Sequence, residues 1–382
     1  MQKKLLPLFF LVMVGMLFAA CQPSIPLTPT NVDEPQSSSP LTIESTTPIF
    51  SQKTPVVVFA AGSLIIPFAD LETAFEAKYP QYDIRIEYHG SIQVMRHVTE
   101  LHEPIDVVAT ADAALVPMLM YASTNPNTGD PYANWFIRFA SNELMLAYTP
   151  DSLYSDELTL ENWPEILSRP DVKFGLPDPR FDAAGYRAMM AFALQENMLQ
   201  RYDLFKTMFR DQFTFPVSIY REDGHTLIRI PEILETKRDA HVLIRGSSVF
   251  LIALLQSGDL DYAFEYDSVV KQHKLEVLEL PDDVNLGSQD LRDFYKDVEV
   301  RLDFQRFSTV EPRFIGEPIE YAVTIPSSSL QPEAAQLFIQ FLLSDEGRVV
   351  MESNYHPLMD VYTADGLENM PESLQALTVP QE

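Results

Sequence analysis

The sequence predicts an α/β protein with mainly parallel sheets. Short apolar runs, typical of buried parallel strands, alternate along the chain with segments whose apolar residues recur at helical spacing. Turns rich in glycine and serine follow several of the predicted strands. The 382 residues, 46% of them hydrophobic, are enough for two ordinary domains, each with a core of its own.

In the first half of the folded part, strands are predicted over residues 56–60, 83–88 and 106–110, and helices over 64–75, 91–98 and 113–120. In the second half, strands are predicted over residues 172–176, 242–245, 260–266 and 321–325. Three helices are predicted here: one begins at Gly185, a second follows Gly246-Ser247-Ser248 and extends through Leu255, and a third begins at Pro332. Residues 363–382 are acidic with weak periodicity, and we expect them to form a peripheral tail.

The charge is strongly acidic. Lys and Arg number 27 against 55 Asp and Glu, which gives a formal net charge of -28. A chain of this charge does not bind nucleic acid in general, because phosphate contacts need clustered cations. Anionic lipid headgroups would repel it as well. Taken alone, the charge indicates a cationic partner.

The N-terminus predicts export from the cytoplasm. Lys3 and Lys4 precede an apolar run over residues 5–20, shorter than the roughly 20 residues of a spanning helix and typical of a signal peptide. The run ends in Leu17-Phe18-Ala19-Ala20-Cys21, which resembles a bacterial lipobox, and Cys21 is the only cysteine. We therefore predict a lipoprotein signal peptide over residues 1–20 and a lipid on Cys21. The alternative is a free thiol within a leader.

A Pro-, Ser- and Thr-rich segment over residues 21–55 has no apolar periodicity and is interpreted as a linker. With the lipid on Cys21, the linker would hold the folded part away from the membrane, in the periplasm or at the cell surface. The lipid would be the chain's only attachment to the membrane. A lipidated Cys21 leaves no thiol for catalysis, disulfides or metal binding.

Three predicted strand-to-helix junctions carry Gly-Ser: Gly62-Ser63, Gly90-Ser91 and Gly246-Ser247-Ser248. A fourth junction reads Asp182-Ala183-Ala184-Gly185. Helix N-termini offer free N–H groups and partial positive charge, glycine lets a ligand approach closely, and serine adds a donor. Converging at the carboxyl ends of strands, they would form an oxyanion site without Lys or Arg. Each junction taken alone is better explained as a helix cap than as a ligand site, and it is the recurrence of the motif at strand ends that favours the oxyanion site.

Other motifs are absent from the sequence. The seven histidines form no HExxH or similar pair, so we predict no site for a free metal cation. There is no Walker A lysine motif and no GxSxG elbow, and no nucleophile and base stand at a useful spacing. We therefore predict that the chain is not an enzyme. Tyr262, Phe264 and Tyr266 alternate on a strand and are expected in the core or in a cleft wall.

Several strings together resemble the molybdate/tungstate-binding proteins of ABC importers, above all the tungstate-binding branch. They extend over roughly residues 56 to 360 and include Val58-Phe59-Ala60-Ala61-Gly62-Ser63-Leu64, Asp106-Val107-Val108-Ala109-Thr110, Gly185-Tyr186-Arg187, Ser257-Gly258-Asp259-Leu260-Asp261-Tyr262 and Ser268-Val269-Val270-Lys271-Gln272-His273. The resemblance implies a two-lobe periplasmic-binding-protein fold of type II, with two mixed, mainly parallel sheets and a cleft between the lobes. Lobe 1 would comprise residues 56–141 and 275–362, and lobe 2 residues 142–274.

The resemblance also implies a function. The chain would be a monomeric, lipid-anchored solute-binding protein that needs no cofactor and delivers molybdate or tungstate to a permease and its ATPase. By analogy, the oxyanion would be lined by Gly62, Ser63, Gly90, Ser91, Asp182, Ala183, Ala184, Ser248 and Tyr266. Tyr266 enters this set through the resemblance alone.

One position departs from the family. Many members carry an Arg-Pro-Lys-Glu string whose Glu, together with the residue matching Asp182, adds carboxylate oxygens around the metal of the oxyanion. This sequence reads Arg245-Gly246-Ser247-Ser248, with Ser248 in place of the Glu. Asp182 would remain as the carboxylate near the metal atom, would accept a proton from a protonated anion such as hydrogen phosphate, or would only cap its helix. The departure leaves open another tetrahedral anion, sulfate or phosphate, and an extracytoplasmic anion sensor remains a further alternative.

Overall fold

The structure is a computed structural model that describes residues 53–209, 211–303 and 312–381. The predicted signal peptide, Cys21 and nearly all of the predicted linker lie outside these residues. Within the described ranges, no helix has both the length and the hydropathy needed to cross a membrane.

The strands of the described residues are β1 (Thr54–Ala61), β2 (Tyr82–His89), β3 (Val107–Thr110), β4 (Phe136–Asn142), β5 (Leu144–Tyr148), β6 (Phe174–Pro177), β7 (Ser218–Glu222), β8 (His225–Ile230), β9 (Val242–Arg245), β10 (Tyr262–Tyr266), β11 (Glu276–Leu278), β12 (Val298–Leu302), β13 (Arg313–Ile315), β14 (Ile319–Thr324), β15 (Leu358–Asp365) and β16 (Val379–Pro380).

The α-helices are α1 (Ile65–Lys78), α2 (Ser91–Thr99), α3 (Trp163–Leu167), α4 (Ala183–Leu199), α5 (Leu204–Phe209), α6 (Val249–Ser257), α7 (Asp267–His273), α8 (Asp282–Asn285), α9 (Arg292–Tyr295), α10 (Pro332–Leu342), α11 (Asp345–Ser353) and α12 (Glu372–Gln375). Short 3-10 turns span Gly62–Leu64, Gln289–Leu291 and Leu367–Asn369. The helix predicted over 113–120 is a π-helical segment over Val116–Tyr121, with Pro117 in its first turn.

Lobe 1 is built on a seven-stranded mixed sheet in the order β16-β15-β4-β14-β3-β1-β2. β1 pairs in parallel with β2 and β3, whereas β14 runs antiparallel to β3 and β4. Val56, Val58 and Ala60 of β1 are fully buried, which explains the uninterrupted apolar run of this strand. Because β1 and β2 are parallel, the turns that follow them emerge at the same edge of the sheet.

Lobe 2 contains a five-stranded sheet in the order β11-β5-β10-β6-β9. A third sheet of four strands, β13-β12-β8-β7, was not predicted. Helix α4 contacts both sheets, and its residues Ala183–Glu196 are all buried. The residues around the site therefore sit on a helix that is enclosed along most of its length.

The predicted return to lobe 1 at residue 275 is wrong. β11 pairs with β5, and β12 pairs in parallel with β8, so the chain continues in lobe 2 after residue 275. The first strand that rejoins the lobe 1 sheet is β14. The error arises because strand pairing over 70 residues or more leaves no local signal in the sequence. We propose that lobe 2 extends to about residue 316.

The tail predicted over residues 363–382 forms regular structure instead. β15 pairs with β4 and with β16, so the segment belongs to the lobe 1 sheet. Met370 and Leu374 are buried, although acidic residues surround them in the sequence. Two apolar residues four positions apart are too few to give a clear helical pattern, so the sequence alone does not indicate the structure of this segment.

Candidate functional site

The predicted strand-to-helix junctions come together between the two lobes. A Cβ atom built on Gly62 would lie 2.8 Å from Ser247 Oγ. A Cβ atom on Gly90 would lie 2.3 Å from the carbonyl oxygen of Phe181 and 3.1 Å from Asp182 Cα. Only glycine permits these two approaches of backbone to the opposite lobe. All four predicted junctions therefore contribute to one buried site.

We call Gly62, Ser63, Gly90, Ser91 and Tyr321 the lobe 1 wall of this site. We call Asp182, Ala183, Ala184, Arg187, Ser247, Ser248, Glu265 and Tyr266 the lobe 2 wall. The polar side chains of both walls are buried.

The hydroxyl groups of the lobe 1 wall retain protons to donate. Ser63 Oγ lies 2.7 Å from Tyr321 Oη, which accepts a hydrogen bond from Asn142 Nδ2 at 3.3 Å. Tyr321 can therefore give its proton to Ser63, and the Ser63 proton is left for another acceptor. Ser91 Oγ accepts from the Ala111 N–H at 3.0 Å, so its proton is also available. Tyr321 was not among the predicted site residues.

Asp182 holds two helix N-termini of the lobe 2 wall together. Its Oδ1 accepts from the Ala184 N–H at 2.9 Å, and its Oδ2 accepts from the Ser248 N–H at 3.0 Å. Burial raises the pKa of Asp182, while these two N–H groups oppose the rise. The cap explains why α4 begins at Ala183 rather than at the predicted Gly185.

Ser248 and Glu265 form a buried pair that sequence reasoning missed. Ser248 Oγ donates to Glu265 Oε1 at 3.1 Å, and the Tyr266 N–H donates to the same oxygen at 2.8 Å. Burial raises the pKa of Glu265 to about 8, and the charge of Asp182 also raises it. A signal was present, because Glu265 is the only charged residue in the buried strand Tyr262–Tyr266.

Arg187 brings a buried cation to the site, which corrects the expectation of a site without Lys or Arg. Its Nη1 donates to the Ala111 carbonyl at 2.7 Å and to Tyr266 Oη at 2.8 Å. Its Nη2 lies 3.5 Å from Asp112 Oδ2. Since Tyr266 Oη accepts from Arg187, the tyrosine keeps its proton for another acceptor. Arg187 follows Ala183 by four residues, so helical spacing could have placed it on the same face.

The two lobes are closed on each other. The N–H groups of Ile92 and Gln93 donate to the Phe181 carbonyl at 3.1 and 3.4 Å. Tyr186 Oη also donates to the Asp112 carboxylate. The N-terminus of α2 thus directs two of its free N–H groups to a carbonyl of the opposite lobe rather than to the site. From this junction, Ser91 contributes its hydroxyl instead.

The arrangement suits recognition of a small anion. Ser63, Ser91 and Tyr266 can each donate a hydrogen bond, and helix N-termini add partial positive charge. In the part of the chain that the structure describes, no three His, Cys, Asp or Glu side chains are placed to hold a metal ion.

Residues 56–355 match the family of bacterial extracellular solute-binding proteins. A solute-binding protein of Petrotoga mobilis is 35% identical over 320 residues, which cover 84% of this chain and 88% of the relative. The molybdate/tungstate-binding protein WtpA of Thermococcus kodakarensis is 35% identical over 339 residues, 87% of this chain and 89% of the relative. The structure of the sulfate-binding protein SubI from Mycobacterium tuberculosis is similar with a TM-score of 0.50 and 13% identity, over 86% of this chain and 92% of that one.

These comparisons confirm several predictions. The resemblance stated from the sequence is confirmed by the relatives, and the α/β two-lobe fold by the similar structure. The family consists of extracellular solute-binding proteins, so the predictions of an extracytoplasmic protein without enzymatic activity are confirmed too.

Proposed function

Because the chain belongs to the family of bacterial extracellular solute-binding proteins, we propose that it binds molybdate or tungstate between its lobes and delivers the anion to an ABC importer. The observation that carries this proposal is the set of three buried hydroxyl groups, on Ser63, Ser91 and Tyr266, each of which can donate a hydrogen bond to a ligand. Two relatives that cover most of the chain are molybdate/tungstate-binding proteins.

A tetrahedral dianion matches these donors. In its fully deprotonated form, as in molybdate or tungstate, it presents four oxygen atoms that accept hydrogen bonds and has no proton of its own to place. Hydrogen bonds to a charged acceptor are stronger than neutral ones, and exclusion of water by the closed lobes strengthens them further. Gly62 and Gly90 keep the opposite backbones close enough for both walls to reach one small ligand.

Each oxygen of Asp182 already accepts a backbone N–H group, and these two bonds hold the carboxylate on the helix N-termini of its own lobe. Ser248, which stands where many family members carry Glu, directs its proton to Glu265. We therefore propose that the anion stays four-coordinate and hydrogen-bonded. Asp182 then positions α4 and α6, and Ala183, Ala184 and Ser248 shape the wall.

Calorimetric titration of the purified protein with molybdate, tungstate, sulfate and phosphate tests the proposal. We expect molybdate or tungstate to bind at least about a hundredfold more tightly than phosphate. Absence of heat with both molybdate and tungstate would overturn the proposed ligand. A preference for sulfate or phosphate would support the second candidate, a binder of another tetrahedral anion, which Ser248 favours.

The partners and the membrane anchor are part of the same proposal. The protein would dock, as a monomer, on a permease with its ATPase, tethered by a lipid on Cys21. Intact mass of the protein from membranes should show a diacylglycerol-type adduct that the Cys21→Ser variant lacks. Release of unmodified protein from the wild type would argue against the anchor. Uptake of the anion that stops when this gene is deleted would separate transport from a sensor role.

A further inference from the structure

Glu265 has a carboxyl oxygen that the protein does not use. The side chain is 1% exposed, and its Oε1 accepts from both Ser248 Oγ and the Tyr266 N–H. Its Oε2 is buried and has no hydrogen-bond partner among residues 53–209, 211–303 and 312–381. A buried polar atom without a partner is costly, so this oxygen points to a ligand.

A second unused group lies on the same wall. Ser247 Oγ is buried beside the Asp182 carboxylate and makes no hydrogen bond of good geometry within the described residues. It also faces Gly62 across the site. Glu265 in turn lies close enough to Tyr321 of the lobe 1 wall to influence the pKa of that tyrosine. Ser247 and Glu265 therefore both lie close to residues of the lobe 1 wall.

The two carboxyl groups of the lobe 2 wall differ in their partners. Asp182 accepts one backbone N–H on each oxygen, which suits an ionised carboxylate. Glu265 accepts on one oxygen only. Two ionised carboxylates beside a dianion would repel it and each other, so one of them must carry a proton. The partners of Asp182 assign the charge to Asp182 and the proton to Glu265.

We propose that Glu265 is a specificity-determining residue whose Oε2 carries a proton and donates it to an oxygen of the bound anion. The proposal rests on the anion-binding function above and deepens it. A fully deprotonated dianion such as molybdate, tungstate or sulfate accepts this bond. Hydrogen phosphate brings a proton that needs an acceptor, and a protonated Glu265 gives it none.

The other groups around Glu265 support a proton on this residue. Asp182, at the start of α4, disfavours a second negative charge and contributes to the pKa of about 8. Arg187 directs its Nη1 to Tyr266 and to a lobe 1 carbonyl instead of to Glu265. Tyr321 stays neutral because burial raises its pKa. The adjoining elements α6 and β5 contain no Asp, Glu, Lys, Arg or His.

The pH dependence of tungstate binding tests the proposal. For the wild type, we expect affinity to fall about tenfold from pH 7 to pH 9, because Glu265 loses its proton over that range. Glu265→Gln keeps a donor that does not ionise, so its affinity should stay flat over the same range. Glu265→Leu removes the donor and should bind about ten- to a hundredfold more weakly at pH 7. Glu161→Gln, at an exposed position, is the matched control and should behave as the wild type.

Thermal melting of each variant checks that it folds, and the pH profile separates a donor from a merely structural residue. A wild type that binds tungstate with a flat profile would overturn the role of Glu265 and leave the proposed function intact. The same conclusion follows if Glu265→Gln keeps the wild-type slope. Absence of binding to molybdate and tungstate at every pH would overturn both proposals.

Discussion

The two walls of the candidate site differ in the chemical groups that they present. The lobe 1 wall consists of glycine backbone and neutral hydroxyl groups, exemplified by Ser63 and Ser91. The lobe 2 wall buries two carboxyl groups and a guanidinium, on Asp182, Glu265 and Arg187. Neutral donors behave alike at any ordinary pH, whereas buried ionisable groups depend on their partners. Under the proposed function, lobe 1 would therefore provide general affinity for an anion, and lobe 2 would select its charge state.

The largest effect is expected from breaking the charged contact between Arg187 of the lobe 2 wall and Asp112 of lobe 1. Arg187→Met leaves Asp112 without its cation in a buried place and removes the bond to the Ala111 carbonyl. Losing one partner of a buried ion pair costs about 3–5 kcal/mol, so the free energy of unfolding should fall by that amount. Urea unfolding measures it, with the exposed Arg85→Met as control. A loss below about 1 kcal/mol would show that the pair contributes little.

The next effect comes from preventing the walls from approaching. In Gly90→Ala, the new Cβ would lie 2.3 Å from the Phe181 carbonyl oxygen, a distance that backbone atoms do not tolerate. If the closed state falls to about 1% of molecules, apparent affinity for tungstate falls about a hundredfold. Gly246→Ala is the matched control, because its Cβ meets no heavy atom within 4 Å. Equal affinities of the two variants would rule out this closure contact.

A smaller effect is expected from one neutral donor of the lobe 1 wall. Ser63→Ala removes a hydroxyl proton that the anion would accept, and a hydrogen bond to a charged group contributes about 1.5–3 kcal/mol. Affinity should therefore fall about ten- to a hundredfold by calorimetry, equally at pH 7 and pH 9. Ser257→Ala, at an exposed position at the end of α6, should have no effect. A Ser63→Ala loss that changed with pH would contradict the contrast between the walls.

The smallest effect concerns stability behind the lobe 1 wall. His356 is fully buried beside Tyr321, and burial lowers its pKa to about 3. The neutral form is favoured in the fold, so its contribution is complete above pH 6.5 and is lost as the pH falls toward 3. At pH 5 the loss is about 2 kcal/mol. Unfolding of His356→Gln should lose less stability between pH 7 and pH 5 than the wild type, and an unchanged slope would exclude His356 as the source.

Local patterns predicted lobe 1 better than lobe 2. The run over β1, the Gly62-Ser63 turn and the helix after it appear within twenty consecutive residues, and the structure has all three. The serine positions at the junctions were likewise visible as strand-end motifs. Because neighbouring parallel strands end at the same edge of a sheet, the sequence also indicated that these serines lie in one site.

The remaining features depend on contacts between distant residues. Arg187 reaches Ala111 across 76 positions, and Ser248 meets Glu265 across 17. The third sheet arises because β8 pairs with β12, about 70 residues later. Spacing within one element does not encode such partners, so the sequence shows Glu265 as a charged residue in an apolar strand but does not pair it with Ser248.

The two N–H groups of α2 that donate to the Phe181 carbonyl allow closure of the lobes to be followed by hydrogen exchange, without an attached probe. Exchange of the Ile92 and Gln93 amide protons with solvent requires the lobes to part, because this bond between the lobes protects them. The rate of their deuterium uptake therefore reports the fraction of molecules in which the lobes are open. An anion that holds the lobes shut should slow this uptake in proportion to its occupancy, so two backbone amides would report on the opening that must precede release of the anion.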